Sequence, residues 1–124
     1  MAKSLFRSVR KVSGGKYTKI RKKRLCDLGG LPALTSIGNE RKKYKRTRGG
    51  SKKTQKLSTE FVYVNEKKKV SKLKIVAVEN NPANINFTRR NIITKGTIVK
   101  TEKGLVKITS RPGQVGVVYG IFVS

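Results

Sequence analysis

Arg89-Arg90-Asn91-Ile92-Ile93-Thr94-Lys95-Gly96-Thr97-Ile98-Val99-Lys100-Thr101-Glu102-Lys103-Gly104-Leu105-Val106-Lys107-Ile108-Thr109-Ser110-Arg111-Pro112-Gly113-Gln114-Val115-Gly116-Val117-Val118-Tyr119-Gly120-Ile121-Phe122-Val123 decides the fold. Short runs rich in Ile, Val and Thr are broken by Gly and Pro at near-regular intervals, the pattern of successive antiparallel strands joined by tight turns. Ile98 and Lys100 alternate with Thr97, Val99 and Thr101. After Glu102-Lys103-Gly104 the alternation resumes, with Val106 and Ile108 set against Leu105, Lys107 and Thr109. A period of two on both sides of a short Gly-containing loop predicts a hairpin with one wetter face. Pro112-Gly113 predicts a second turn. Most of these apolar positions are core.

Working outward, the chain has 124 residues, which predicts one domain. With a modest apolar fraction and no Trp, the expectation is a small core of about 70–80 residues plus an unfolded arm. Charge is the strongest signal: 31 Lys and Arg against 6 Asp and Glu give +25. Such charge repels itself in a compact monomer and calls for a polyanionic partner. It is unevenly spread, with 19 basic and 2 acidic residues in 1–56 and 12 basic and 4 acidic in 57–124. Cys26 is the one cysteine and there is no His, so neither an internal disulfide nor a mixed metal site is expected. The start, Met-Ala-Lys-Ser-Leu-Phe-Arg, carries no apolar signal region, and a cytosolic protein is expected. The apolar run Val115 to Val123 is about half the length of a membrane-spanning helix.

Residues 1–24 show no sustained apolar period and should be disordered alone. Leu28, Leu31, Leu34 and Ile37 are spaced by three, but Gly29, Gly30 and Pro32 oppose a long helix, so Leu25 to Ile37 is read as a compact loop with a one-turn helix at most. Gly49-Gly50 joins two expected strands, one near Lys43–Arg48 and one from about Lys52. Phe61-Val62-Tyr63-Val64 reads as a strand and Asn65 to Lys69 as a charged turn. In Val70 to Glu79, Leu73, Ile75 and Ala77 face one way and Lys72, Lys74, Val76 and Val78 the other, as in a barrel or sandwich wall. Asn80-Asn81-Pro82-Ala83-Asn84 marks a turn. Phe87 to Thr94 reads as the next strand, with Arg89 and Arg90 on opposite faces.

Catalysis needs convergent acids, bases or nucleophiles. Asp27, Glu40, Glu60, Glu66, Glu79 and Glu102 are scattered, and Gly15-Lys16 is followed by Tyr17, which fails as a phosphate loop. An enzyme is therefore not expected. The blocks Arg21–Arg24 and Arg41–Lys53 fit phosphate neutralisation with counterion release, and Arg adds bidentate grips. Tyr17 and Tyr44 lie within basic sequence, where a ring either stacks on a splayed base or packs on the body.

Six motifs occur in a fixed order: Arg21-Lys22-Lys23-Arg24, Leu34-Thr35-Ser36-Ile37-Gly38, Arg46-Thr47-Arg48-Gly49-Gly50-Ser51-Lys52-Lys53, Asn81-Pro82-Ala83-Asn84, Arg89-Arg90-Asn91-Ile92-Ile93-Thr94-Lys95-Gly96 and Thr109-Ser110-Arg111-Pro112-Gly113-Gln114. Together they resemble the archaeal and eukaryotic small-subunit ribosomal protein eight family, from about Arg10 to the C-terminus. The fifth and sixth are the most specific. The compact length is similar to the archaeal form. One position departs: Val115 follows Gln114 where an acidic residue is expected, and with it goes any ion pair there.

The resemblance implies an all-β protein with a small antiparallel β-barrel-like body over residues 41–124. A long, basic, irregular N-terminal arm over 1–40 would be disordered without RNA. It implies a structural constituent of the small ribosomal subunit, present at one copy, bound to small-subunit ribosomal RNA beside neighbouring ribosomal proteins. No cofactor, metal, membrane or small-molecule substrate is expected. The candidate RNA-binding side chains are Arg10, Lys11, Arg21, Lys22, Lys23, Arg24, Arg41, Lys42, Lys43, Arg46, Arg48, Lys52, Lys53, Arg89, Arg90, Lys95 and Arg111. Two other readings remain at this point: a ribosome-assembly factor with a similar domain, and a non-specific nucleic-acid chaperone.

Overall fold

The computed structural model describes residues 4–47, 49–66 and 69–123. The chain divides into two compact units, Met1–Pro32 and Ala33–Ser124. Among the described residues the second unit holds nine strands: β1 (Thr35–Ile37), β2 (Arg41–Arg46), β3 (Lys52–Thr59), β4 (Phe61–Glu66), β5 (Lys69–Asn80), β6 (Ile92–Ile93), β7 (Ile98–Thr101), β8 (Gly104–Ile108) and β9 (Tyr119–Phe122). Two one-turn helices interrupt them, α1 (Ile85–Arg89) and α2 (Pro112–Val115). Strands β4-β5-β7-β8-β9 close into a barrel, and β2-β3-β1-β6 form a separate four-stranded sheet.

The β7–β8 hairpin is the one the period-two pattern predicts. Thr101 pairs with Gly104 across Glu102-Lys103, and Gly104 has φ 144°, a conformation that suits only glycine. Val99, Thr101, Val106 and Ile108 point inward and are buried. Val99, Val106 and Ile108 join Val62, Val64, Leu73, Ile75, Val78, Ile93 and Val118 in one apolar core. Each such side chain removed from water contributes roughly 1.5–3 kcal/mol, which is what holds so small a barrel together. Closure is made by a single parallel seam, Tyr63 opposite Tyr119 and Val64 opposite Gly120. The other barrel ladders are antiparallel.

Four expectations are corrected. Phe87 to Thr94 is not one strand. Asn84 caps a helix by accepting the Asn86 N–H at 2.9 Å, and Asn91 turns the chain at φ 50°. Only Ile92 and Ile93 are left as strand, so Arg89 and Arg90 sit at a helix end and not on two faces of a strand. In β5 a bulge between Ile75 and Ala77 shifts the alternation, which buries Val78 against Val99 and so moves it to the inward side. Pro112-Gly113 opens α2, with Pro in the first turn and Gly116 left-handed at its end. Thr35–Ile37, read as part of a loop, is a strand pairing parallel with β3; the Thr35 hydroxyl donates to the Lys56 carbonyl at 2.7 Å. Leu25–Asp27 does form a single 3₁₀ turn, as a one-turn helix at most would allow. Of the expected Asn65 to Lys69 turn, Asn65 and Glu66 end β4 and Lys69 begins β5, while positions 67 and 68 lie outside the described residues.

A polar network fixes the segment between β5 and β7. Asn81, 2% exposed, donates to the Ile92 carbonyl at 2.9 Å and accepts from the Thr94 hydroxyl at 2.9 Å and the Ala83 N–H at 3.1 Å. The fully buried Thr97 hydroxyl accepts the Thr94 N–H at 3.0 Å. A buried amide so satisfied specifies one loop conformation, because any other leaves polar groups without partners.

In the first unit, residues 5–20 are all exposed. Their contacts are polar: the Lys11 N–H donates to the Gly15 carbonyl at 2.7 Å, and the Arg7 guanidinium lies 4.5 Å from the Tyr17 ring centre. No helix among the described residues is long and apolar enough to cross a membrane.

Candidate nucleic-acid interface

Strand β2 reads Arg-Lys-Lys-Tyr-Lys-Arg, and all six side chains are exposed. It forms an edge of the four-stranded sheet, with β3 as its neighbour. Lysines on an edge strand also discourage unwanted strand pairing. The register goes further than that. It sets Lys42 opposite Lys56, Lys45 opposite Lys53 and Arg46 opposite Lys52. Directly opposed like charges destabilise a ribbon. Glu40 relieves one pair, bonding Lys42 at 2.8 Å and the buried Lys56 ammonium beside it. An anion laid along the ribbon would relieve the rest.

Glu40 records this field. Hydrogen bonds from Lys42 and then Lys56 pull its carboxyl down from 4.5 to about 2. A depressed carboxylate adds stability that is complete above the unfolded value and lost as pH falls through the folded one. The acid-side loss of stability should therefore lie between about pH 4.5 and 2. Melting curves across that range should show a shallower fall for Glu40→Gln than for the natural chain. Parallel curves would remove Glu40 from this role.

The other candidates fall into separate groups. Arg41 donates from Nε to the Ser58 hydroxyl at 3.3 Å, and Lys43 is exposed on β2. Lys52 and Lys53 open β3, and Lys53 Nζ reaches Gln114 Oε1 at 3.3 Å. That bond brings α2, and with it the exposed Arg111 at its N-terminal boundary, to the β2–β3 ribbon. Arg89 and Arg90 end α1 beside β6, at the opposite edge of the sheet from β2. Lys95 is exposed in the turn before Gly96, itself left-handed at φ 86°. Arg48 lies outside the described residues.

In the first unit, Arg10 donates to the Gly14 carbonyl at 2.8 Å and Lys11 lies 5.7 Å from the Tyr17 ring centre. Arg21 is ion-paired to Asp27 at 2.6 Å, which raises the Arg21 pKa and lowers that of Asp27. Lys22, Lys23 and Arg24 are exposed. Lys45, in the same basic block but not among the sequence candidates, stands opposite Lys53. Barrel closure also brings together outward lysines that the sequence candidates do not include, Lys72, Lys74 and Lys107.

The family described as Ribosomal protein S8e matches this chain over residues 5–123. Among curated relatives, the small ribosomal subunit protein eS8 of Methanospirillum hungatei is 45% identical over 119 residues, covering 94% of this chain and 95% of its own length. The protein of the same name in Methanosphaerula palustris is 48% identical over the same shares. That of Methanocorpusculum labreanum is 46% identical, again over 94% and 95%.

Proposed function

The chain belongs to the ribosomal protein S8e family, and from that premise we propose that its like-charged β2–β3 ribbon and its basic first unit neutralise ribosomal phosphates. It is a structural constituent of the small ribosomal subunit, with ribosomal RNA and other ribosomal proteins as partners. The observation that carries the contact reading is the register itself. Lys45 faces Lys53 and Arg46 faces Lys52 with no carboxylate of the described residues bonded between them. Such a ribbon is stabilised by a polyanion, and releasing the RNA's counterions drives the association.

On this reading the candidates act in different ways. Lysines on β2 and β3 supply charge. Arg89, Arg90 and Arg111, placed at helix ends of the folded body, act as fixed forks on single phosphates. Of the extension over residues 1–40, β1 belongs to the folded sheet, and the part up to Pro32 works as the arm: with 5–20 wholly exposed, it has little apolar burial to offset its chain entropy and takes up its final form on RNA. The protein is present at one copy per small subunit, in the cytoplasm, and performs no catalysis.

Sedimentation tests this. Small subunits washed at high salt should retain the protein at near one copy per particle. Recovery only in precursor particles, or complete release by the wash, would overturn the structural role.

A further inference from the structure

The outer wall of the barrel presents an aromatic surface that the basic clusters do not account for. Val62 and Val64 of β4 point into the core, so Phe61, Tyr63 and Asn65 point outward. The parallel seam places Tyr119 beside Tyr63, with ring centres 6.0 Å apart and planes tilted by 49°. Tyr119 is 47% exposed and Ile121, the next outward residue of β9, is 49% exposed. Two large rings held at the surface of a closed barrel add nothing to its core.

The surroundings are cationic. Lys72 stands opposite Tyr63 and its ammonium lies 4.1 Å from the Phe61 ring centre. Lys74 stands opposite Phe61, and Lys107 opposite Ile121. Lys42 of β2 is close enough for the Tyr63 phenol to contribute to its raised pKa, after the larger effect of Glu40. Glu66, at the far end of β4, falls on the other side of the alternation and faces Lys69. An exposed ring, Tyr119, with a second ring tilted against its side and ammonium groups around both, suits an occupant with a flat apolar face and an attached negative charge. A nucleobase on its phosphate backbone has both features. A base inside a duplex has its faces covered, so the occupant must be unpaired.

We propose that the Tyr63–Tyr119 pair is a stacking platform for an unpaired nucleotide of the bound RNA, with Lys72 and Lys107 engaging its flanking phosphates. The proposal rests on the RNA-binding reading above and adds to it a site that discriminates single strands from duplex.

The test compares a short unstructured single-stranded RNA with a duplex RNA of equal phosphate number. Losing one stacked base weakens binding by about 5- to 150-fold. Tyr119→Leu should show that loss on the single strand and none on the duplex, with the salt dependence of both unchanged. Tyr119→Phe keeps the ring and should bind like the natural chain. The chain has four Tyr and no Trp, so with Tyr17 and Tyr44 both replaced by Phe the tyrosine emission comes from Tyr63 and Tyr119 alone, and single strand should quench it more than duplex. That measurement stands even if the leucine variant fails to fold. Equal loss on both probes, or equal quenching, overturns the platform. Unchanged binding of Tyr119→Leu to both probes assigns this wall to protein contacts and also overturns it. If the natural chain binds neither probe in a salt-dependent way, the underlying RNA reading fails, a result distinct from the others.

Discussion

Gly120→Val should cost most of the barrel's stability. Gly120 is buried in β9, opposite Val64 on one side and Ile108 on the other. A Cβ built there would collide with Val106 Cγ1 and lie 3.0 Å from the Lys107 carbonyl and 3.5 Å from Val62 Cγ2. Two of these are core side chains and the third is backbone, so none can swing aside. Over-packing such a site with one methyl costs about 1–3 kcal/mol. Valine adds two more carbons in the same space, and a loss above about 4 kcal/mol is expected. A domain of this class has only about 5–15 kcal/mol in total. Strand β9 also carries both ladders that close the barrel, so displacing it opens two seams at once. Urea unfolding of the natural chain, Gly120→Ala and Gly120→Val should give midpoints falling in that order. Gly15→Ala, where the nearest atom is 3.8 Å away, should leave the midpoint alone. A natural midpoint for Gly120→Val would mean β9 does not close the barrel in this register.

What could be read from the residues follows from how local the cause is. The β7–β8 hairpin was legible because its alternation and its turn residue lie within a dozen positions of each other. Strand β1 was not, because three residues acquire strand character only by pairing with β3 and β6, which come later in the chain. The bulge in β5 was hidden because it is set by the partner strand β7. The α1 helix had a local signal, Asn84 as a cap, which the β-branched run after it outweighed in the reading. The same division holds for the interface. Basic blocks are visible as composition. That Arg111 joins Lys53 through Gln114 depends on α2 packing against β3. That Tyr63 meets Tyr119 depends on closure of the barrel.

The second large effect concerns the arm, and the structure changes its expected size. If the protein neutralises about ten phosphates, log affinity for small-subunit RNA should fall with log salt at a slope of about −7 to −9. Counting Arg21-Lys22-Lys23-Arg24 as four free charges, removing the block would lower that slope by about 3–4 units. Arg21, however, is bonded to Asp27 at 2.6 Å, and its charge is already met within the chain. Lys22, Lys23 and Arg24 are the exposed members. Replacing those three by alanine should lower the slope by about 2–3 units, and adding Arg21→Ala should change it little further. Asp27→Asn frees Arg21 and should steepen the slope by up to about one unit. Arg111→Lys serves as the geometric counterpart. It keeps the charge and the slope, yet should weaken binding by about 1–2 kcal/mol because the planar fork is lost. The salt titration of these variants separates counted charge from placed charge. If Arg21→Ala alone lowers the slope as much as Lys22→Ala does, the Asp27 pair opens on RNA and the arm binds with all four cations. If Arg111→Lys matches the natural chain at every salt concentration, diffuse charge is sufficient at that position.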